Sequence, residues 1–126
     1  MEVTKSIQEN TVEQAAIFSA LADPTRHKLV KLLCRQRDRD TLCVNALAGF
    51  LEVTQSAVSQ HLRVLRAIGL VKGERRGYHI HYFVNQDALE RCRRLVSEAL
   101  SMEEPSEVPP CQEYCPQRRK EDVSSK

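Results

Sequence analysis

The chain of 126 residues has no apolar run long enough for a secretory signal peptide or a membrane-spanning helix. It also has no internal repeat, and its four glycines never form the glycine-rich loop that cradles phosphate groups. Its length allows one domain with a modest core. We therefore expect a cytoplasmic protein that has no contact with a membrane.

A large net charge of one sign is absent too, because the formal net charge is only +2. The charge is unevenly placed, however. Residues 24–53 carry six basic and three acidic residues, and residues 54–82 carry five basic residues and one acidic residue. The ends of the chain are net acidic. A basic centre between acidic ends predicts a polyanionic partner, although less strongly than an overall basic chain would.

Residues 54–69 predict an amphipathic helix with two different faces. One face is apolar at helical spacing and would pack on a core: Val58, Leu62, Leu65 and Ile68. The opposite face carries short donors and acceptors and one cation: Ser56, Ser59, Gln60 and Arg63. Such a face suits the edges of base pairs, or else it only meets water. Thr54 is a capping residue, and Gly69 is a plausible left-handed helix stop.

Three shorter helices are predicted before this one. Thr11 opens a capping box, and the first helix has a face of small residues, Val12, Ala15, Ala16, Ser19 and Ala20. That face fits close packing against another helix, either within the chain or across a dimer. Asp23 and Pro24 start the second helix, which runs to about Arg35 with Leu29, Val30, Leu32 and Leu33 inward. Thr41 is expected to cap the third, with Val44, Leu47, Ala48 and Leu51 inward.

Beyond Gly69 the hydrophobic period changes to two, which predicts a β-hairpin with Arg75 and Arg76 at its tip and Gly77 in the turn. A short helix, a tight connection and a helix with a polar outer face form a helix-turn-helix candidate. The predicted fold is therefore mainly α with a small β-hairpin: a winged helix-turn-helix of five helices and a two-stranded wing, homodimeric.

The fifth helix is predicted over residues 86–102, with a seam of Leu89, Cys92, Val96 and Ala99. Such a seam pairs helices between subunits or packs on its own domain. The later residues are rich in proline, serine and charge. The predicted organisation is a flexible arm at 1–10, the domain at 11–102 and a flexible cysteine-containing tail at 103–126.

Four segments in order, FSALADPTRHKLVKLL, LCVNALA, VTQSAVSQHLRVLRAIGLV and KGERRGYHIHYFV, give residues 15–95 a specific resemblance. They resemble the ArsR/SmtB family of metal-responsive bacterial repressors. The resemblance implies a homodimer joined by its first and last helices, which binds an imperfect DNA palindrome and is released by a ligand. It implies base-reading roles for Gln55, Ser56, Ser59 and Gln60, and wing contacts for Arg75 and Arg76. Arg63 is added from helical geometry.

Two departures from the family pattern concern the metal sites. Where many arsenic- and cadmium-responsive relatives have Cys-Val-Cys, this chain has Cys43, Val44 and Asn45, so one thiol is missing. Zinc- and cobalt-responsive relatives use histidine on the last helix, and residues 86–102 have none. We therefore expect sensing to use other thiols.

Five cysteines remain as candidate sensors. Cys34 and Cys92 are expected mainly as small core residues. Cys111 and Cys115 lie in the predicted tail, where residues 110–116 fit one helical turn with both sulfurs on one side. Two such thiolates form half of a site for arsenite, antimonite, cadmium or a similar thiophilic ion, with Cys92 or Cys43 as the third ligand.

Three alternatives to this ion-responsive repressor exist. A disulfide or polysulfide switch of the same cysteines would give a redox- or sulfide-responsive repressor. A winged helix used only for protein contacts is disfavoured by the Gln/Ser face and the wing arginines. An enzyme of the thiol-transfer kind would need an activated thiolate in a shaped pocket, and nothing in the sequence supplies one. We therefore expect a regulator without an organic cofactor.

Overall fold

The computed structural model describes residues 7–36, 41–102, 111–113 and 115. Residues Asn10–Ala99 form one unit, and the chain ends Met1–Glu9 and Leu100–Lys126 form another. Most of the predicted arm and tail, and residues 37–40, lie outside the described residues.

The elements of the first unit follow the predicted order. They are α1 (Thr11–Leu21), α2 (Pro24–Arg35), β1 (Leu42–Cys43), α3 (Val44–Leu51), α4 (Gln55–Ala67), β2 (Val71–Arg76), β3 (His79–Val84) and α5 (Gln86–Ala99). This arrangement confirms the predicted winged helix-turn-helix. None of the helices in the described part of the chain is long and apolar enough to cross a membrane.

The wing is the antiparallel hairpin of β2 and β3, in which Val71 lies opposite Val84 and Arg76 lies opposite His79. Gly77, at φ 68°, begins the two-residue connection, as glycine does in tight hairpin turns. A third strand, β1, pairs with the other edge of β3 and gives the order β1-β3-β2. The sequence did not predict β1, because two residues are too few to show a period of two.

Local sequence signals correctly placed three helix ends. The Asp23 carboxylate accepts a hydrogen bond from the Arg26 amide at 3.0 Å and caps α2. The Thr54 hydroxyl accepts one from the Ala57 amide, also at 3.0 Å, and caps α4. Gly69 adopts φ 79° just beyond α4, where a left-handed residue ends a helix.

Two predicted caps are wrong. Thr11 is the first residue of α1, and the capping position is Asn10, which makes no side-chain capping bond. Thr41 precedes α3 by three residues, while the capping position is Cys43. The Thr41 hydroxyl instead accepts a hydrogen bond from Arg76 at 2.8 Å. The last helix also ends at Ala99, earlier than the predicted residue 102.

The core is built mainly from α2, α3, α4 and the base of the wing, and Ala20 of α1 and Leu95 of α5 are also buried. Its most completely buried side chains are Leu29, Leu47, Leu62, Leu65, Leu70, Leu95 and Val58. The inward faces predicted for α3 and α4 are confirmed. On α1 and α5, however, the most buried large residues are Ile17 and Leu95, at 3% and 2% exposed, and the predicted faces include neither.

Leu65→Ala tests this core. Leu65 is 0% exposed, so the substitution leaves a cavity, and we expect it to lower the free energy of unfolding by about 2–5 kcal/mol. The adjacent Val64 is 37% exposed, and Val64→Ala should cost less than about 0.5 kcal/mol. Urea unfolding followed by circular dichroism, at one protein concentration, measures both. Equal losses would contradict the assigned rotation of α4.

Candidate DNA-binding face and thiol sites

The outer face of α4 presents the predicted base-reading side chains to solvent. All of them are exposed: Gln55, Ser56, Ser59, Gln60 and Arg63. Their side chains make no hydrogen bond or ion pair with any residue in the described ranges. The other side of the helix is closed by Val58, Leu62 and Leu65, which are at most 2% exposed. We call these five side chains the reading face after the role predicted for them. The face is polar, it is held in place by the buried side of α4, and it is available to a partner.

The connection from α3 to α4 is short and has a defined geometry. Glu52 ends α3 in the left-handed region at φ 57°, and its amide donates to the carbonyls of Ala48 and Gly49. Ala48, a small side chain near this turn, is only 6% exposed. Only Val53 and Thr54 separate Glu52 from α4. The turn therefore places the start of α4, with its capped amides, at the molecular surface.

The two wing arginines differ in their surroundings. Arg76 contacts Glu74 through Nε at 3.0 Å and Nη2 at 2.8 Å, and it donates from Nη1 to the Thr41 hydroxyl at 2.8 Å. Arg75 is exposed, and its guanidinium has no hydrogen bond or ion pair within the described part of the chain. Both lie at the end of the hairpin, but Arg75 is the less engaged of the two.

His61 occupies the flank of α4 rather than its outer face. Its ring Nδ1 lies 3.2 Å from Nη1 of Arg26, and its Nε2 lies 3.7 Å from the Asp23 carboxylate. The two partners belong to the beginning of α2. His61 is therefore half-buried against the start of α2.

Helices α1 and α5 are joined to each other by polar contacts. Arg91 donates two hydrogen bonds to the Glu13 carboxylate at 2.6 and 2.7 Å, and the Gln14 amide donates to the Leu95 carbonyl at 3.1 Å. The Arg91 hydrogen bonds hold the pKa of Glu13 below its ordinary value, so this carboxylate is charged at neutral pH. The two helices thus present one combined surface.

The predicted seam on α5 faces partly inward. Leu89 and Cys92 pack against the core of their own chain, whereas Ala99 is exposed. On α1 the small side chains Ala15, Ala16 and Ser19 are exposed, and Val12 is 85% exposed. An exposed face of small and apolar side chains therefore lies mainly on α1.

The cysteines occupy several different environments. Cys34 is exposed, so its predicted burial is wrong: Leu29 and Leu33 take the inward side of α2, and Cys34 is the next position around the helix. Cys43 is half-buried at the start of α3, and Cys92 is half-buried on α5. Cys92 lines a cavity of about 250 Å³ with Ile17 and Ile68. Burial raises the pKa of the Cys92 thiol, which disfavours the thiolate that binds metals.

Cys111 and Cys115 are both exposed. Residues Cys111–Glu113 form a 3₁₀ turn, and the Cys115 amide donates to the Cys111 carbonyl at 2.9 Å. This hydrogen bond closes the single helical turn that the spacing predicts. Among the described residues, no group of three or more His, Cys, Asp or Glu side chains is arranged to hold a metal ion.

Sequence reasoning missed several residues that hold these surfaces in place. Gln36 donates to the Tyr82 carbonyl at 2.6 Å and accepts from the Leu42 amide at 3.1 Å, which bridges β1 and β3. Arg26 contacts His61 and the end of α1. Each of these partners is distant in the sequence or lies in another element. These contacts form only when the helices and strands pack together, and no local sequence pattern predicts them.

Comparison with known proteins places this architecture. Residues 23–72, from the cap of α2 to the start of β2, match the family model described as "Bacterial regulatory protein, arsR family". A transcriptional repressor SmtB homolog from Synechocystis sp. is 41% identical over 88 residues, which cover 70% of this chain. The match spans 64% of that protein, so the chain covers less than two thirds of this relative.

In two further matches, the aligned region spans more of the relative's own length. An arsenical resistance operon repressor from Bacillus subtilis is 37% identical over 100 residues, which cover 79% of this chain and 88% of that protein. The crystal structure of the transcriptional regulator HlyU from Vibrio vulnificus has a TM-score of 0.60 and 28% sequence identity, and the match covers 77% of this chain and 97% of that one. These relatives are regulators or repressors of transcription, which agrees with the prediction of a regulator rather than an enzyme. The chain therefore belongs to the arsR family of bacterial regulatory proteins, the ArsR/SmtB transcriptional regulators.

Proposed function

We propose that this protein is a cytoplasmic repressor that binds operator DNA as a homodimer and leaves it when a thiophilic metal or metalloid binds. One observation carries the DNA-binding role: α4 exposes a continuous polar face while its opposite side is buried. A helix held in this way presents hydrogen-bonding groups to the base edges of a major groove.

The residues of this face divide into two functions. Gln55, Ser56, Ser59 and Gln60 carry hydroxyl or amide groups that read bases, since each can donate and accept. Arg63 adds a cation on the same face for a base or a phosphate. At the wing, Arg75 and Arg76 neutralise phosphates, which strengthens binding without specifying a sequence.

The first test separates side chains that read the base sequence from side chains that bind phosphates. We expect Ser56→Ala and Gln60→Ala each to reduce discrimination between a selected duplex and a random duplex by roughly 1–3 kcal/mol. Arg75→Ala should weaken both duplexes alike and make binding less sensitive to salt. Fluorescence anisotropy at several salt concentrations measures all three variants.

Lys72→Ala is the matched control for Arg75→Ala. It removes an exposed cation from the same strand, at the base of the hairpin opposite Phe83. It should therefore change binding less than Arg75→Ala does. If Arg75→Ala altered sequence preference while Gln60→Ala did not, the assigned roles would be reversed.

The proposed dimer is supported by the exposed face of α1. Small side chains such as Ala15 and Ala16 allow a second helix to approach closely, and Val12 adds apolar surface. The Glu13–Arg91 contact fixes α1 to α5, so both helices contribute to one surface. A symmetric dimer would place two α4 helices in successive major grooves about 34–36 Å apart.

Ala15→Glu tests this interface. A charged side chain on the small-residue face would be buried without a partner in a dimer, so we expect a monomer at micromolar concentration. Ala46→Glu is the control, because Ala46 is exposed on α3 and outside the proposed interface. Light scattering measures the mass of each variant. A monomeric wild type, or a dimeric Ala15→Glu protein, would contradict the assignment.

The proposed inducer site uses Cys111 and Cys115. Both thiols are exposed, they share one closed turn, and soft ions such as As(III), Sb(III) and Cd(II) prefer thiolate ligands. Cys92 or Cys43 of the dimer would supply the third ligand. The same two thiols also suit a disulfide or polysulfide link, which is the redox- or sulfide-responsive alternative.

Replacing Cys111 and Cys115 with serine should leave DNA affinity unchanged and abolish release by arsenite. In the wild type we expect arsenite to weaken DNA binding by about 1–3 kcal/mol, a typical allosteric coupling. Cys34→Ser removes another exposed thiol and should respond as the wild type does. Anisotropy titrations with arsenite, cadmium, zinc, polysulfide and peroxide compare the variants.

Two results of these titrations would contradict the proposed inducer. If the double variant responds as the wild type does, the ion is sensed by other thiols. If only polysulfide or peroxide releases the wild type, the protein is a redox- or sulfide-responsive repressor instead.

A further inference from the structure

Three polar side chains meet where α1 ends, α2 begins and α4 passes. They are Asp23, Arg26 and His61, and we call them the junction cluster. The side chain of His61 is 18% exposed and that of Asp23 is 39% exposed, so the cluster lies at the edge of the core. None of the three belongs to the reading face of α4.

Arg26 connects α1 to the cluster. Its Nε donates to the Ala20 carbonyl, and its Nη2 donates to the Ser19 carbonyl at 3.4 Å. The last carbonyls of a helix have no partner within that helix, so a guanidinium is a favourable donor to them. The planar fork of Arg26 then has one further nitrogen, Nη1, directed at His61.

The chemistry of this contact fixes the form of the His61 ring. A guanidinium has donors only, so the ring Nδ1 at 3.2 Å must accept from Arg26. In the neutral ring the proton therefore lies on Nε2, which faces the Asp23 carboxylate at 3.7 Å. Asp23 in turn caps α2, and the hydrogen bond from the Arg26 amide lowers the pKa of its carboxyl group.

These contacts join the ends of two helices to the side of α4. His61 directly follows Gln60, and Ser19 and Ala20 directly precede the end of α1. We propose that Arg26 and His61 are positioning residues that hold α4 at a fixed angle to α1. Because this inference rests on the proposed DNA binding, the fixed angle matters when two α4 helices must enter two grooves at once.

If Arg26 and His61 position α4, their loss should reduce sequence specificity rather than the general attraction of the protein to DNA. A small change in the tilt of α4 misaligns hydrogen bonds to base edges, whose geometry is strict. Attraction of the basic centre to phosphates depends on charge and tolerates the same change. Loss of the cluster should therefore weaken a selected duplex far more than a random one.

The experiment begins with wild-type protein and a library of random duplexes, from which binding selects a preferred duplex. Anisotropy then measures the affinity of each variant for that duplex and for an unselected one. We expect His61→Ala and Arg26→Lys each to weaken the selected duplex roughly tenfold and the unselected duplex by less than about twofold. Lysine keeps the charge of Arg26 but cannot span three acceptors with one planar group.

Two further variants separate positioning from a loss of folding. His61→Asn keeps an acceptor at the position of Nδ1, so we expect it to recover most of the affinity for the selected duplex. The double variant His61→Ala/Arg26→Lys should bind no worse than Arg26→Lys alone, because both changes break the same contact. His27→Ala, at an exposed histidine beside Arg26, is the control and should bind as the wild type does.

Thermal unfolding identifies the variants that fold. If His61→Ala does not fold, the contrast between His61→Asn and Arg26→Lys decides. Wild-type affinity of Arg26→Lys for both duplexes, or an equal loss on both, would overturn the positioning role. A wild-type protein that selects no duplex would instead overturn the proposed function itself.

Discussion

Burial of one side of α4 is the constraint on which the rest of the structure depends. Val58, Leu62 and Leu65 lie at most 2% exposed among side chains from α2, α3 and the base of the wing. Each such burial is worth roughly 1.5–3 kcal/mol, more than a typical single exposed polar contact. The core therefore sets the rotation of α4 before any partner binds. That rotation leaves Ser56, Ser59 and Gln60 outward together.

Electrostatics refines this picture without changing it. The contact between Arg76 and Glu74 is solvent-exposed, and exposed ion pairs contribute about 0–1 kcal/mol. The ion pair with Glu74 therefore adds little to the stability of the wing, whereas Arg75 has no ion pair in the described ranges. The wing thus holds one arginine in place through Thr41 and Glu74 and leaves the other free to extend. Both suit a role in affinity rather than in sequence reading.

The features that the sequence predicted correctly are those that depend on residues close together in the chain. Asp23 and Thr54 cap their helices through amides three residues away, and the two faces of α4 follow from its period. Thr41 is also of a residue type that caps helices, but its hydroxyl accepts a hydrogen bond from Arg76, 35 residues away. At this position a hydrogen bond to a residue distant in the sequence replaces the capping bond that local propensity favours. This is why the polar face of α4 was predictable and the capping residue of α3 was not.

Burial and clustering of side chains were harder to predict for the same reason. Cys34 is a residue of a type that is often buried in cores, but it lies one position beyond the inward side of α2. The junction cluster joins Arg26 and His61, which are also 35 residues apart, and neither is unusual in its own segment. The proposed thiol site depends on which cysteines the proposed dimer would bring together, and the spacing of cysteines along one chain does not give the distances between two chains.

The central claim is that the outer face of α4 enters the major groove in two copies. Dimethyl sulfate footprinting of the protein on its selected duplex tests this directly, because the reagent methylates guanine N7 in the major groove and adenine N3 in the minor groove. We expect guanine N7 to be protected in two patches about 10–10.5 base pairs apart on one side of the duplex. Protection confined to adenine N3, or a single protected patch, would contradict the account.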